Sequence, residues 1–423
     1  MIIFVALNDT GMEVKTFKRL PYGNSNFERL ISDNYAYVDK TQFIEMLERE
    51  ENPYQFFIRP RKFGKSLFLT MLSHYYDLLR GDNFSKLFGG LYIGENPTPR
   101  KNSYAIMEFD FSGINTTTPE NFRKSFELCV QSTICAFLER YQSVLPNAME
   151  LSDRILSNNH GIGSLQEVFN VAKIANVKLF ITIDEYDHFA NDLIDMEVDD
   201  IHKKWMMVNG VIRNFYAMLK MGTSKVVDRV FITGISPTLI DDLTNGFNIA
   251  QNITLEARYN NMMGFTEQEV EQLMNTSGID RKLINVDMKW YYNGYLFNKD
   301  ATDRVYNPSM MLYFLNQILS EEKVPEKIID DNLKTYYNHL QRLTWNDTNS
   351  EMLLQIVKDG GIMTEVHTKF SMDNLYNDEY FASLLFYMGL LTIEKRIFGK
   401  VWLCIPNYSI KTVFWDFVME MAQ

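Results

Sequence analysis

The fold is decided by one stretch near the start of the chain, which runs from Tyr54 to Leu69 and reads YQFFIRPRKFGKSLFL. An apolar run comes first, a basic loop follows, and a second apolar run continues at helical spacing until Gly81. Strand-forming residues before the loop and a helical period after it predict a strand, a loop and a helix. The neighbouring apolar segments are therefore expected to extend a sheet that begins here.

The loop in this unit has the composition of a phosphate-binding loop. Such a loop aims backbone N–H groups and a helix N-terminus at an anion, and it supplies a lysine for the outer phosphates and a hydroxyl for Mg²⁺. Gly64, Lys65 and Ser66 occur in the required order. Arg59 stands where G-x-x-x-x-G-K-[ST] has its first glycine, and Pro60 donates no N–H. The tripeptide alone is equally compatible with a turn of solvated charges, so the flanking elements must decide.

Composition and charge limit the functional classes. The 423 residues, 46% of them hydrophobic and 23% charged, are typical of a globular protein with two or three cores. A formal net charge of −12 argues against binding nucleic acid through the overall field. The basic residues within 59–62 form a local positive patch in this otherwise acidic chain.

The cysteines and the N-terminal segment indicate the cellular compartment in which we expect the protein. Cys129, Cys135 and Cys404 form neither a disulfide framework nor a metal-ligand spacing, and an odd number of cysteines fits a reducing compartment. The apolar residues 1–7 lack a basic leader and are too few to span a bilayer. We expect a cytoplasmic protein with no membrane segment.

A second motif follows a later strand. Apolar residues 177–183 run directly into Asp184 and Glu185, after an earlier strand at 104–109 and a long helical stretch from Pro119. Strands separated by helices imply a parallel sheet, whose carboxyl edge is where ligands bind. Asp184 would hold Mg²⁺ through water, and Glu185 would orient and deprotonate the attacking water. The alternative is that both acids cap a surface helix.

Two further residues are candidates for contact with the γ-phosphate. Thr233 ends the predicted strand at 228–234, where it would act as a sensor of the γ-phosphate or be part of an ordinary turn. Arg258 lies just past a predicted fifth strand at 253–255, where it would reach the γ-phosphate or form a surface salt bridge. The sequence leaves both alternatives open.

The predicted site is an ATP and Mg²⁺ site made of three sets of residues. The catalytic set is Lys65, Thr233 and Glu185, and the metal set is Ser66 and Asp184. The set that binds the nucleotide is Arg61, Lys62, Phe63, Gly64, Lys65, Ser66 and Leu67.

The composition becomes helical after about residue 260, so we expect one domain at 1–260 and a second at 261–423. Thr266 and Glu269 fit a capping box, and Asn307 precedes a proline that would open a helix. The residues from 384 to 406 read as a helix, a strand, a short turn and a strand, which suggests a winged helix.

Several motifs together resemble the AAA-ATPase-like family of bacterial predicted P-loop ATPases. The resemblance runs from about residue 18 to about 410, and the R-P-R-x-F-G-K-S form of the loop is specific to that family. It rests on Tyr37-Val38-Asp39-Lys40-Thr41, Arg59 to Ser66, Ile183-Asp184-Glu185-Tyr186-Asp187, Thr233-Gly234-Ile235-Ser236, Gly264-Phe265-Thr266 and Tyr306-Asn307-Pro308.

The resemblance implies an α/β fold of the P-loop NTPase type, ASCE/AAA-like. It would have a three-layer parallel sheet ordered 5-1-4-3-2 and a mainly helical, winged-helix-like C-terminal domain. Members of the family often continue into a PD-(D/E)XK nuclease-like domain, which is expected to be absent here. The E-x-K spacing of Glu321 and Lys323 reads as a solvated helix end.

We therefore expect an ATP-binding protein that hydrolyses ATP slowly with Mg²⁺ and uses the ATP/ADP cycle as a conformational switch. The alternative is a non-hydrolysing module in which bound nucleotide stabilises a surface for a protein or nucleic-acid partner. Glu185 favours the enzyme, whereas the lack of a certain arginine finger favours the module. A third reading, a nucleic-acid-binding regulator, lacks a clearly basic recognition helix.

Overall fold

The computed structural model describes residues 16–158, 160–189, 198–237, 246–321, 323–325, 329–330, 347–369 and 378–421. A five-stranded parallel sheet forms the centre of the first half of the chain, in the order β2-β3-β4-β1-β5. Read from the other edge, this is the expected order 5-1-4-3-2, and the prediction is confirmed. Its strands are β1 Tyr54–Ile58, β2 Ala105–Asp110, β3 Leu179–Asp184, β4 Val227–Gly234 and β5 Gln251–Asn252.

The fifth strand is shorter and earlier than predicted. It comprises Gln251 and Asn252, which pair with β1, whereas the sequence pattern placed it at 253–255. The backbone N–H of Ile253 still donates to Phe56. One step further, the hydroxyl of Thr254 accepts from the N–H of Ile58 at 3.1 Å. A side chain thus takes the acceptor role that a backbone carbonyl would have in a continued strand.

Helices connect the strands and cover the sheet. In the first half they are α1 Phe27–Ser32, α2 Gln42–Glu48, α3 Lys65–Tyr76, α4 Phe84–Phe88, α5 Tyr92–Glu95, α6 Pro119–Arg140, α7 Ala148–Asn158, α8 Gly161–Ile174 and α9 Val198–Thr223. The predicted opening of α6 at Pro119 is confirmed, with Thr118 as its N-cap.

The sheet is covered on both faces. The register aligns Phe109 of β2 with Ile183 and Ile232, and the Phe109 ring contacts Phe215 of α9 at 5.0 Å between centroids. One position earlier the side chains point to the other face. There Phe231 of β4 contacts Phe68 of α3 at 5.8 Å. The helix that follows the phosphate loop therefore lies opposite α9, which makes the three-layer arrangement.

The second half contains helices and a small antiparallel sheet ordered β6-β8-β7. Its elements are α10 Glu267–Ser277, α11 Met288–Tyr292, α12 Pro308–Glu321, α13 Asp347–Asp359, β6 Gly361–Thr364, α14 Asp378–Tyr387, β7 Thr392–Ile397, β8 Lys400–Cys404 and α15 Tyr408–Met421. The capping box of Thr266 and Glu269 and the start of α12 after Asn307 are confirmed.

Among the described residues, two hydrophobic clusters organise the packing, and both contain residues from each side of residue 260. The larger joins the parallel sheet to residues 295–297 and to buried residues between 353 and 414. The smaller packs Leu20, Ala36 and Val38 against α10, α11 and α12. The division into 1–260 and 261–423 remains a prediction, and the packing across it is continuous.

The structure bears on two earlier expectations, one about the cysteines and one about membrane-spanning helices. Cys129, Cys135 and Cys404 are free thiols. Across the described ranges, no helix combines the length and apolar character that crossing a bilayer requires.

Candidate nucleotide-binding site

The phosphate loop leads from β1 into α3 through two residues with left-handed backbone conformation. Lys62 has φ 68° and Gly64 has φ 94°. Glycine adopts this region without the steric penalty that a Cβ brings, so the turn favours glycine at the second glycine position of the motif. No side chain caps α3, which begins at Lys65. Its first backbone N–H groups are therefore available to an anion.

Lys65 is held at the mouth of the loop by neutral acceptors. The residue is 4% exposed. Its Nζ donates to the carbonyl oxygens of Arg59 at 3.1 Å and Pro60 at 3.2 Å. Charge-assisted bonds to phosphate oxygens are stronger than bonds to carbonyls. A phosphate entering the loop would therefore compete well for this ammonium.

Ser66 and Asp184 join the two motifs directly. The Ser66 hydroxyl donates to Oδ2 of Asp184 at 2.6 Å. Burial raises the pKa of Asp184 to about 6, although the hydrogen bond from Ser66 opposes this shift. A hydroxyl and a carboxylate side by side are hard oxygen ligands of the kind that Mg²⁺ prefers.

These two residues fit a Mg²⁺ site of the kind completed by a nucleotide. In the described part of the chain, no three or more His, Cys, Asp or Glu side chains are grouped as a metal cage. Mg²⁺ is usually bound by one or two carboxylates together with substrate phosphates and water, so such a cage is not needed. Ser66 and Asp184 are the residues that would hold the ion.

Glu185 has an uncommon backbone conformation and one carboxylate oxygen without a hydrogen-bond partner among the described residues. Its φ is 51°, a left-handed value that is rare for glutamate. Its backbone N–H donates to Oδ1 of Asp184 at 3.0 Å. Its Oε2 is buried and accepts no hydrogen bond from the described residues. An unpaired carboxylate oxygen at a cavity wall is suited to accept a hydrogen bond from water.

A cavity of about 530 Å³ brings most of the predicted residues together. Asp184 and Glu185 line it, and so does every predicted nucleotide-binding residue of the loop, from Arg61 to Leu67. Phe63 is 1% exposed, and its ring packs edge-on against Tyr295 and Phe297. Its side chain therefore belongs to the core, and the cavity meets it chiefly through its backbone.

Two residues proposed for the γ-phosphate do not line this cavity. Thr233 is fully buried, and its Oγ1 has no hydrogen-bond partner among the described residues. It pairs with Phe57 at the end of β4, directly beneath the loop. Arg258 forms salt bridges with Glu50 and Glu256. Of the two alternatives left open for Arg258, the structure therefore contains the surface salt bridge.

Asp187, the last acid of the same motif, also has defined partners. It immediately precedes helical residues 188–189. Its carboxylate accepts from the backbone N–H groups of Ile235 and Ser236 after β4. The residue therefore joins the segment after β3 to the segment after β4, and so supports the Glu185 turn.

The rest of the cavity wall is mainly apolar and was not predicted. It includes Val38, Met262, Phe265 and Leu312, which come from three distant segments. Such convergence of long-range contacts has no local sequence signal. Asp110 also lines the cavity and pairs with Asp184 in the strand register. The rule that ligands bind at the carboxyl edge of a parallel sheet could have identified Asp110.

Lys40 lines the cavity but is fully engaged by protein acceptors. Its Nζ donates to Oε1 and Oε2 of Glu269 at 2.6 and 2.8 Å, and to the carbonyl of Asn261 at 2.9 Å. An ammonium has three protons to donate. Burial lowers the pKa of Lys40, while Glu269 acts in the opposite direction. Lys40 thus joins the N-terminal wall of the cavity to α10.

The parallel sheet, the loop and the paired acids define a P-loop protein of the α/β class, and the family comparison agrees. The chain matches the family described as Predicted AAA-ATPase over residues 21–244, more than half of its length, and it belongs to that family. The family assignment supports an ATP-binding P-loop protein.

The individual proteins that are similar to this chain include the following two. One is from Azotobacter chroococcum mcd 1 and is described as an uncharacterized protein in the vnfD 5′ region. It is 26% identical over 298 residues, which cover 70% of this chain and 51% of that protein, so the chain spans about half the length of this relative. The other is the Walker-type ATPase PABY2304 of Pyrococcus abyssi, with a TM-score of 0.49 and 14% identity over 95% of this chain and 99% of that one.

Proposed function

We propose that this protein binds ATP with Mg²⁺, hydrolyses it slowly and uses the cycle as a conformational switch. The observation that carries the proposal is the convergence of Lys65, Ser66, Asp184 and Glu185 on one cavity from two distant motifs. A turn of solvated charges at the loop, or acids that merely cap a helix, would not require this convergence.

Each residue has a role that follows from its chemistry. Lys65 and the backbone N–H groups at the start of α3 bind the outer phosphates. Ser66 and Asp184 bind Mg²⁺, which neutralises charge that develops on the phosphates. Glu185 orients a water molecule and accepts its proton. Thr233 is proposed to contribute from beneath the loop, through a rearrangement that brings its hydroxyl toward the γ-phosphate.

The switch role follows from the packing around the site. The cavity wall includes residues of α10 and α12, and the larger hydrophobic cluster continues to β7 and β8. A change in loop geometry would therefore be transmitted to the C-terminal region. The sheet order β6-β8-β7 with α14 before the β7–β8 hairpin supports a winged-helix-like module for a protein or nucleic-acid partner. The free thiols are consistent with a cytoplasmic location.

A second candidate function is a nucleotide-stabilised interaction module that does not hydrolyse ATP. Arg258 favours it, because this candidate arginine finger is already bound to two glutamates outside the cavity. Arginine fingers contribute about 10³-fold or more to turnover in related chemistry. A protein without one would turn over ATP very slowly unless a partner supplied the arginine.

The experiment that tests the proposal combines calorimetry with phosphate release. Titrating ATP and ADP into the protein, each with and without Mg²⁺, should show Mg²⁺-dependent ATP binding. Steady-state phosphate release should exceed background and should be measured again with added DNA or RNA. Absence of nucleotide binding would contradict both candidate functions, whereas binding without any turnover would leave only the interaction module.

A further inference from the structure

Arg59 stands where phosphate loops usually have their first glycine, and its side chain is enclosed by the protein. The residue is 1% exposed. Nη1 donates to the carbonyl of Thr254 at 2.9 Å, and Nη2 donates to the carbonyl of Tyr259 at 2.9 Å. Burial lowers the pKa of Arg59 well below its usual range. Backbone carbonyls therefore engage both terminal nitrogens of a guanidinium that a phosphate could not reach, while its Nε has no hydrogen-bond partner among the described residues.

Two aromatic rings complete this enclosure. The guanidinium carbon lies 4.1 Å from the ring centroid of Phe57 and 4.1 Å from that of Phe297. A cation between two ring faces in a dry site gains more than it would at the surface. Phe297 is far along the chain, and its backbone N–H donates to Oδ1 of Asn260. Arg59 is thus the centre of a contact set that includes 254–260 and Phe297.

The next residue of the loop is packed in the same way. Pro60 lies so close to Gly389 that a Cβ on Gly389 would be 2.9 Å from the Cβ of Pro60. Gly389 follows α14 and has φ 80°. The first two positions of the loop are therefore packed against the C-terminal half of the chain.

The backbone of Arg59, unlike its side chain, is hydrogen-bonded to the lysine of the proposed nucleotide-binding site. Its carbonyl accepts from Nζ of Lys65, and its N–H donates to the carbonyl of Gly234 at 3.2 Å. One residue thus contacts the phosphate-binding lysine through its backbone and the 254–260 segment through its side chain. A nucleotide that takes the ammonium of Lys65 would remove a donor from this carbonyl.

We infer that Arg59 is a positioning residue, which holds the loop carbonyls that orient Lys65 and links nucleotide occupancy to the packing of 254–260 and Phe297. This inference rests on the proposed binding of ATP. It explains why the loop lacks its first glycine: the side chain of Arg59 fixes the loop at a position where glycine would leave it free.

Two substitutions of Arg59 test the inference by calorimetry with Mg²⁺ and ATP. Arg59→Gly restores the usual G-x-x-x-x-G-K-S pattern and should nevertheless weaken binding by about tenfold or more, because the loop loses its fixed geometry. Arg59→Lys keeps the charge but lacks the planar fork that reaches both carbonyls, so it should weaken binding as well. Wild-type affinity in Arg59→Gly would overturn the inference.

A second measurement distinguishes positioning from simple stability. In the wild type, ADP should slow hydrogen–deuterium exchange at 254–260, and this effect should disappear in Arg59→Lys. Phe297 lies outside the cavity, and the variant Phe297→Leu should weaken ATP binding about threefold or more through the same contact set. Phe137→Leu, a buried truncation in α6, is the matched control and should bind ATP as the wild type does.

The outcomes separate this inference from the proposed function. If the wild type binds no Mg²⁺ and ATP, the proposed function fails and the role of Arg59 fails with it. If the wild type binds and the Arg59 variants are folded and bind equally well, only the role of Arg59 fails. If the Arg59 variants do not fold, Phe297→Leu decides, since unchanged affinity together with unchanged exchange at 254–260 overturns the inference.

Discussion

The hydroxyl of Ser66 donates to Oδ2 of Asp184 at 2.6 Å, although 118 positions separate the two residues along the chain. Ser66 is in the first turn of α3, and Asp184 ends β3. This contact places the hydroxyl of one motif against the carboxylate of the other, which is the pairing that the proposed Mg²⁺ site requires. The account of function depends on this pairing.

Lys65→Ala should abolish ATP binding. The substitution removes the buried cation that the loop directs at the outer phosphates. Calorimetry with Mg²⁺ present measures the effect, and Lys62→Ala is the control because Lys62 is exposed on the same loop and should lose less affinity. Unchanged affinity for ATP in Lys65→Ala would contradict the assignment of this loop as a phosphate-binding P-loop.

Asp184→Asn should stabilise the protein in the absence of nucleotide at pH 7. Burial raises the pKa of Asp184 to about 6. The folded state therefore holds a proton that the unfolded state releases between about pH 4 and 6, and the ionised carboxylate opposes folding above that window. An amide removes this penalty, with an expected gain of about 1 to 3 kcal/mol.

The pH dependence checks the sign of that effect. Denaturant unfolding should show the gain of Asp184→Asn at pH 7 and its decline as pH falls through 6 toward 4, where the wild-type carboxyl becomes protonated. A gain that stays constant over this range would show that the ionised carboxylate is not its source.

Breaking the pair of Lys40 and Glu269 should destabilise the fold. Their side chains are 10% and 19% exposed, so removing one partner leaves a largely buried charge. Lys40→Met should lower the free energy of unfolding by about 2 to 4 kcal/mol. The double variant with Glu269→Gln should recover part of that loss, as a double-mutant cycle would measure.

An exposed ion pair of the same chain provides the control for this cycle. Lys124 and Glu120 on α6 form a salt bridge with side chains that are 73% and 75% exposed. Lys124→Met should change stability by less than about 1 kcal/mol. Equal losses in the free energy of unfolding for Lys40→Met and Lys124→Met would mean that burial does not increase the contribution of the Lys40–Glu269 pair to stability.

The strand order was expected from the family resemblance, whereas the individual strands and the two motifs that contain Ser66 and Asp184 follow local rules. Apolar runs that end in acids, and a loop between a strand and a helix, have signals within a few residues of each other. The apolar wall of the cavity could not be predicted, because Val38, Phe265 and Leu312 meet only in the folded chain. For the same reason the partners of Arg59 and Lys40 were missed: they lie about 200 positions or more away.

Some boundaries also differ for identifiable reasons. The sequence analysis named no element after residue 406, whereas α15 runs from Tyr408 to Met421. Its apolar residues pack on only one side, since Ile410, Val413 and Phe414 are buried while Trp415 and Met419 are exposed. The aromatic and aliphatic residues on the exposed side obscure the polar half of an amphipathic pattern.

The central claim is that Glu185 activates water for ATP hydrolysis, and steady-state phosphate release by wild type and Glu185→Gln tests it most directly. The carboxylate should contribute mainly in the transition state, so the variant should bind ATP nearly as the wild type does. Hydrolysis should fall by about 10²-fold or more. Asp184→Asn should differ by losing affinity for Mg²⁺ and ATP as well as turnover. Wild-type protein with no turnover above background, indistinguishable from Glu185→Gln, would contradict the hydrolytic account.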